Sequence, residues 1–217
     1  VEDERAVGIP DGDGGVRFNV GANTLMGNAL TLGNWPGSNG RHSEMRVNGG
    51  TIDVCSLTIL DTGYPIQNFL TVSNGTVYIR GAGTAWDNRS KDPTNGSLRT
   101  ATAVTFDSTN GTMNVDTGSK DRNSVDLDPA DWQNNFAFDQ VYLGAGDTNT
   151  LVGDANNEGG GVNALYATQL TGLGGGATLK LNGHNVYLLK RAANVTFDIT
   201  GGGQVFQPAA GTVIVIR

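Results

Sequence analysis

The chain has 217 residues, a net charge of −7 and a pI near 4.6, and only 16% of its residues are charged. No basic cluster supplies the Lys/Arg footprint that displaces counterions from a phosphate backbone, so the sequence excludes nucleic acid as a partner. No stretch approaches the roughly 20 apolar residues of a membrane-spanning helix, which argues against membrane insertion.

Glycine contributes 33 residues and asparagine 22. Both adopt positive φ at little cost, so the composition is that of short strands joined by tight turns. A helical protein would be richer in Ala, Leu, Glu and Lys. The expected fold class is all-β, in one large domain that hides about 70% of its unfolded surface. The chain begins at Val1 rather than Met, which fits a secreted protein whose leader has been removed. A single cysteine, Cys55, leaves no internal disulfide and is expected to sit in the core as a small apolar residue.

Residues 1–15 read as an extended polar arm, and "DGDGG" (11–15) places Asp11 and Asp13 on a flexible loop. "VRFNV" (16–20) and "NALTL" (28–32) read as strands. Asn-Gly pairs then recur at 48–49, 74–75, 110–111 and 182–183, each between apolar-alternating runs. As two-residue hairpin loops they would pair Met45 with Ile52, Leu70 with Ile79, Phe106 with Val115 and Leu179 with Val186. In all four cases the apolar residues of both arms then share one face, as hairpins require. "DPADW" (128–132) reads as a helix start, with Asp128 capping and Pro129 in the first turn. "FAFDQVYL" (136–143), "VTFDI" (195–199) and "GTVIVIR" (211–217) complete the strands, with "NALYATQL" (163–170) a short helix or irregular strand.

The expected architecture is a jelly-roll or Greek-key β-sandwich over residues 16–200. The alternative is a short right-handed parallel β-helix, because phrases such as "LTVSNGTVYI" resemble the passenger repeats of bacterial autotransporters. These four Asn-Gly pairs, however, follow one another at intervals of 26, 36 and 72 residues. A solenoid of fixed period would not space them so, which favours the sandwich.

Chemistry-bearing motifs are sparse. His42 and His184 are the only histidines, and His184 reads as a packed or rim residue. No nucleophile elbow or zinc-ligand spacing occurs. The four glutamates, Glu2, Glu4, Glu44 and Glu158, stand in no catalytic context. The reading is that the chain is not an enzyme. Calcium is the one metal the carboxylates suggest, through Asp11, Asp13, Asp147 and Asp154. The stretch 144–161 resembles one imperfect copy of the nonapeptide of calcium-binding β-rolls, matching at Gly144, Gly146, Asp147, Leu151, Gly153 and Asp154. Five Asn-x-Ser/Thr sequons, at Asn74, Asn88, Asn95, Asn110 and Asn194, mark where glycans would attach.

In "TVIVIR", Val213 and Val215 point one way while Thr212, Ile214 and Ile216 point the other. A strand apolar on both faces is an aggregation hazard at an open edge, so it needs a partner on each side. Residues 201–217 therefore read as a Gly-rich hinge, containing Pro208, followed by a donor strand. All-β, Gly/Asn/Thr-rich, essentially Cys-free and ending in an apolar strand, the chain resembles secreted bacterial β-sandwich fibre subunits that polymerise by strand exchange. The pilins assembled by chaperones often carry an N-terminal donor strand and a disulfide, and this chain departs from both. The resemblance implies a homopolymer growing head to tail at the cell surface or outside the cell. The alternative expectation is a carbohydrate-binding module or adhesin domain, stacking glycans on Trp35, Trp86, Trp132 or Tyr64.

Overall fold

The computed structural model describes residues 9–10, 16–33, 43–61, 68–90, 98–99, 103–108, 111–122, 132, 135–153 and 162–209. Its named elements are strands. The first are β1 (Ile9–Pro10), β2 (Val16–Val20), β3 (Thr24–Leu32), β4 (Ser43–Asn48), β5 (Thr51–Ile59), β6 (Phe69–Ser73), β7 (Thr76–Ile79) and β8 (Gly83–Asn88). There follow β9 (Leu98–Arg99), β10 (Ala103–Phe106), β11 (Thr112–Asp116), β12 (Ser119–Lys120), β13 (Phe138–Leu143) and β14 (Thr148–Val152). The last are β15 (Asn163–Gly172), β16 (Ala177–Lys180), β17 (Asn185–Leu188), β18 (Val195–Asp198) and β19 (Val205–Phe206).

Strands β2, β4, β6 and β9 lie side by side in parallel, with β1 antiparallel at the end. Each of the first three leads into a second, 14-stranded sheet, where β3 pairs with β5 from Thr24–Thr51 to Leu32–Ile59. One turn later the long β5 is matched by two shorter strands, β7 beside Thr51–Val54 and β8 beside Leu57–Ile59. From there the sheet runs as two arms, the first β8-β11-β14-β16-β18 and the second β7-β10-β13-β15-β17-β19. The chain visits both arms on every turn.

The fold is all-β, and its large parallel sheet, curled on itself, fits the β-helix alternative rather than the sandwich. Strands flanking Asn48-Gly49 are not hairpin partners. β4 pairs with β2 and β6, whereas β5 pairs with β3, β7 and β8. The shared-face pattern around the Asn-Gly pairs arises because both sides of a coil corner also face one interior, so it does not separate the two folds. Nor does the coil keep a fixed period. Thr51 pairs with Thr76, Val104 with Val141 and Val186 with Val205, so the advance per turn changes along the chain.

Repetition of apolar residues in register builds the core. Ile52, Val77, Val104, Val141 and Leu170 follow one another across five turns, each no more than 1% exposed. Each contributes about 1.5–3 kcal/mol by burial. Across the interior Trp86 meets Phe106 and Phe138, with ring centroids 6.3 and 5.5 Å away. The corners stack as well. A Cβ on Gly50 would collide with the carbonyl oxygen of Gly21, and one on Gly75 with Val47 and the carbonyl oxygen of Gly50. Only glycine lets successive backbones approach this closely. Cys55, expected in the core, is exposed on the outside of β5.

Candidate functional site

A coil of parallel strands necessarily ends in open edges. Among the described residues β18 pairs only with β16, and β19 only with β17, at the C-terminal end. Each therefore presents one row of backbone donors and acceptors to the next strand. Val195, Phe197 and Val205 are half-buried and pack against the main core, so the last turn is covered on one side. Ile199, just past β18, is 59% exposed.

Outside the second arm runs an aromatic ladder. Tyr166 stacks on Tyr187 with centroids 4.6 Å apart, and Tyr187 stacks on Phe206 at 4.7 Å. Parallel pairing in register sets these rings one strand apart. Trp132 meets the edge of Tyr166 at 5.4 Å. β12 pairs antiparallel with Asn163–Ala164 beside it, and Asp121 accepts hydrogen bonds from Tyr187 Oη (2.8 Å) and Asn185 Nδ2 (2.7 Å). Burial, then the Asp121 contact, raises the Tyr187 phenol above its ordinary pKa.

The Gly-rich stretch read as a hinge is hydrogen-bonded into the coil over its first part. Gly183 N donates to Gly202 O, Val186 N to Gln204 O and Gln204 N to Asn185 Oδ1. Past β19, the Gln207 side chain accepts a 2.9 Å hydrogen bond from Ala192 N, tying the departing chain to the corner of the preceding turn.

The sequence-derived candidates are not gathered into one site. Asp147 is buried, with Oδ2 accepting from Ser108 N at 2.7 Å, so it braces neighbouring corners. Its predicted companions Asp11, Asp13 and Asp154 lie outside the described residues, within which no group of three or more His, Cys, Asp or Glu could hold a metal. Trp86 is 1% exposed, which denies its ring to a glycan, and Trp132 is half-buried against Tyr166. Trp35 and Tyr64 lie outside the described residues. Of the sequons, Asn74 and Asn194 stand at positive φ and are exposed, whereas Asn88 is 1% exposed and inaccessible to a glycosyl donor. Asn95, Asn110 and Thr212–Ile216 lie outside, as does all of 128–132 except Trp132, which is helical. His184 is half-buried at a corner, Nδ1 3.0 Å from Asn163 O.

No family model, curated protein or solved structure matches this chain. Its function rests on its own geometry.

Sequence reasoning passed over Asp121, Gln207 and the ladder. The signal for the ladder was present, since Tyr166, Tyr187 and Phe206 recur at nearly equal intervals. Only a parallel register gives that spacing a meaning.

Proposed function

We propose that this chain is a structural element of an extracellular or cell-surface filament, extended end to end by parallel strand addition and using its terminal strand, Thr212–Ile216, at the joint. The single observation that carries this reading is the open edge pair, β18 and β19, at the C-terminal end of the described coil. A heterologous contact between one end of a coil and the other end of a second copy does not close, and so it propagates. Acidic character, with a net charge of −7, keeps the flanks of neighbouring filaments apart while end contacts form. The role is mechanical rather than catalytic, and the partner is another copy of the chain.

Electron micrographs of the purified chain, with light scattering, test the proposal. Wild type forms fibres, and the Val213→Lys/Val215→Lys double variant remains dispersed with unchanged circular dichroism. Discrete particles from wild type, or fibres from both, would overturn it.

A further inference from the structure

The geometry points to residues 119–122 as a latch that closes last and locks the late turns to one another. In a plain solenoid each turn touches only its neighbours. This segment departs from that rule. β12 follows β11 in the chain, yet it runs antiparallel and pairs with β15, two strands beyond β10 on the second arm. Three consecutive backbone amides are then taken up in three different places. Lys120 N donates to Asn135 Oδ1 at 3.0 Å, on the lead into β13, and Asn135 Nδ2 donates back to Lys120 O at 2.8 Å. Asp121 N donates to Val162 O at 3.0 Å, directly before β15, and Arg122 N to Tyr166 Oη at 3.2 Å, within it. The Asp121 carboxylate reaches β17, where Asn185 and Tyr187 donate to it. Four residues thus reach three later turns of the second arm, those of β13, β15 and β17.

The latch also covers something. Leu165 and Val186 belong to the main core, so strand alternation turns Tyr166 and Tyr187 outward. Both are nevertheless 0% exposed. Their cover is the latch, the Trp132 ring at the edge of Tyr166, and the stack they form with Phe206. Such an aromatic face, left open on the flank of a coil, is a site of association with other chains. Chain separation sets when the latch can close. Its bonds to Tyr166, Asn185 and Tyr187 span 44, 64 and 66 residues. Pairing between consecutive turns, as of Thr51 with Thr76 or Val104 with Val141, spans less. Closing the longer loops costs more entropy, and only partners already in place offset it. The latch therefore closes after β15 and β17 have joined the coil, and its closure hides the aromatic face. This holds within one chain, whether or not copies assemble.

Pulse-labelling hydrogen exchange during refolding tests the order, on the unmodified chain at dilutions where light scattering shows monomer. The amides of Lys120, Asp121 and Arg122 should gain protection roughly tenfold more slowly than those of β13 and β15. Protection gained together with those strands, or before them, would overturn the inference. Native-state exchange of Asp121→Ala tests the lock. The variant loses both bonds to β17, so the amides of 120–122 and of β17 should exchange roughly tenfold faster, while those of β5 and β8 keep their rates. An unchanged rate at β17, or an equal rise in β5 and β8, would overturn it. The refolding measurement needs no substitution, so it decides even where the variant folds poorly.

Discussion

The early and late turns of this coil share one strand geometry but cover themselves differently. In the early turns the five-stranded sheet contributes Val20, Met45, Val47, Leu70 and Val72 to the same core as the larger sheet. The outward positions there include the ion pair between Asp53 and Arg80. In the late turns, where β9 is the last described strand of the smaller sheet, aromatic residues stack outside the second arm under β12 and Trp132. Among the described residues, the smaller sheet belongs to the early turns and the outer aromatic layer to the late ones. The difference teaches that parallel pairing fixes only the column in which a residue stands. What fills each column decides whether it serves as core, brace or outer cladding.

The largest effect should come from the junction of the two regions. Trp86 belongs to β8, at the head of its arm, yet it packs on Phe138 of β13, two strands beyond β7 on the other. Trp86→Ala opens a cavity where both arms meet, and should cost about 3–5 kcal/mol in urea denaturation. If the coil is one cooperative body, amides in early and late turns lose protection together. Loss confined to the early turns would show that the two regions unfold separately, as stacked turns in longer solenoids do.

Next is a column in which the rule of apolar filling is broken. Asn149 stands between Met113 and Leu179, is 0% exposed, and has no hydrogen-bond partner for its side-chain oxygen or nitrogen. A buried amide without partners costs about 1–3 kcal/mol relative to a paired one. Asn149→Leu, of broadly similar size, should therefore stabilise the chain by that order, read as a higher urea midpoint with an unchanged slope. A lower midpoint would mean that the amide is satisfied by bound water.

Much of this was legible in the residues alone. Composition pointed to the all-β class, and strands 16–20, 136–143 and 195–199 fall close to β2, β13 and β18. The pairing was not legible, for a physical reason. A hairpin and a coil corner both use Asn-Gly at positive φ, as Asn74 and Asn182 show, and both send alternate residues to one core. The spacing of turns fails as an arbiter when the advance per turn changes along the chain. Trp86 likewise could not be assigned to core or surface from type alone. Its burial follows from standing in one column with Leu57, Val115 and Leu151.

A smaller effect isolates the outer ladder. Tyr187→Phe keeps the ring stack and removes only the bond to Asp121, a loss of about 0.5–1.5 kcal/mol for a typical intramolecular hydrogen bond. It also changes the alkaline limb. Because the folded chain holds the phenol proton more tightly than the unfolded chain, the contribution of Tyr187 is full below pH 10 and is lost as pH rises through the folded pKa. Denaturation midpoints measured from pH 8 to 11 should fall less steeply in the variant. Parallel curves for the two proteins would mean that another group sets the alkaline decline.

The smallest effect separates the two regions by the nature of their cladding. Arg80 donates from Nε to Asp53 Oδ1 at 2.8 Å and from Nη1 to Asp107 Oδ2 at 2.6 Å, with its guanidinium 4.4 Å over the Tyr78 ring. These bonds join three successive turns of the second arm, as stacking joins Tyr166, Tyr187 and Phe206. The Arg80 side chain is 34% exposed, however, so each ion pair contributes only about 0.2–1 kcal/mol. Arg80→Met keeps much of the side-chain bulk, removes both pairs and leaves Asp53 and Asp107 facing each other without the intervening charge. At low salt the variant should be less stable by roughly the sum of two weak pairs. At 1 M salt, where the screening length is about 3 Å, the deficit should shrink. The Tyr187→Phe deficit should keep most of its size, since the bond it removes is shielded from solvent. If salt erases both deficits alike, the late turns are no drier than the early ones, and the outer aromatic layer does not act as a second core.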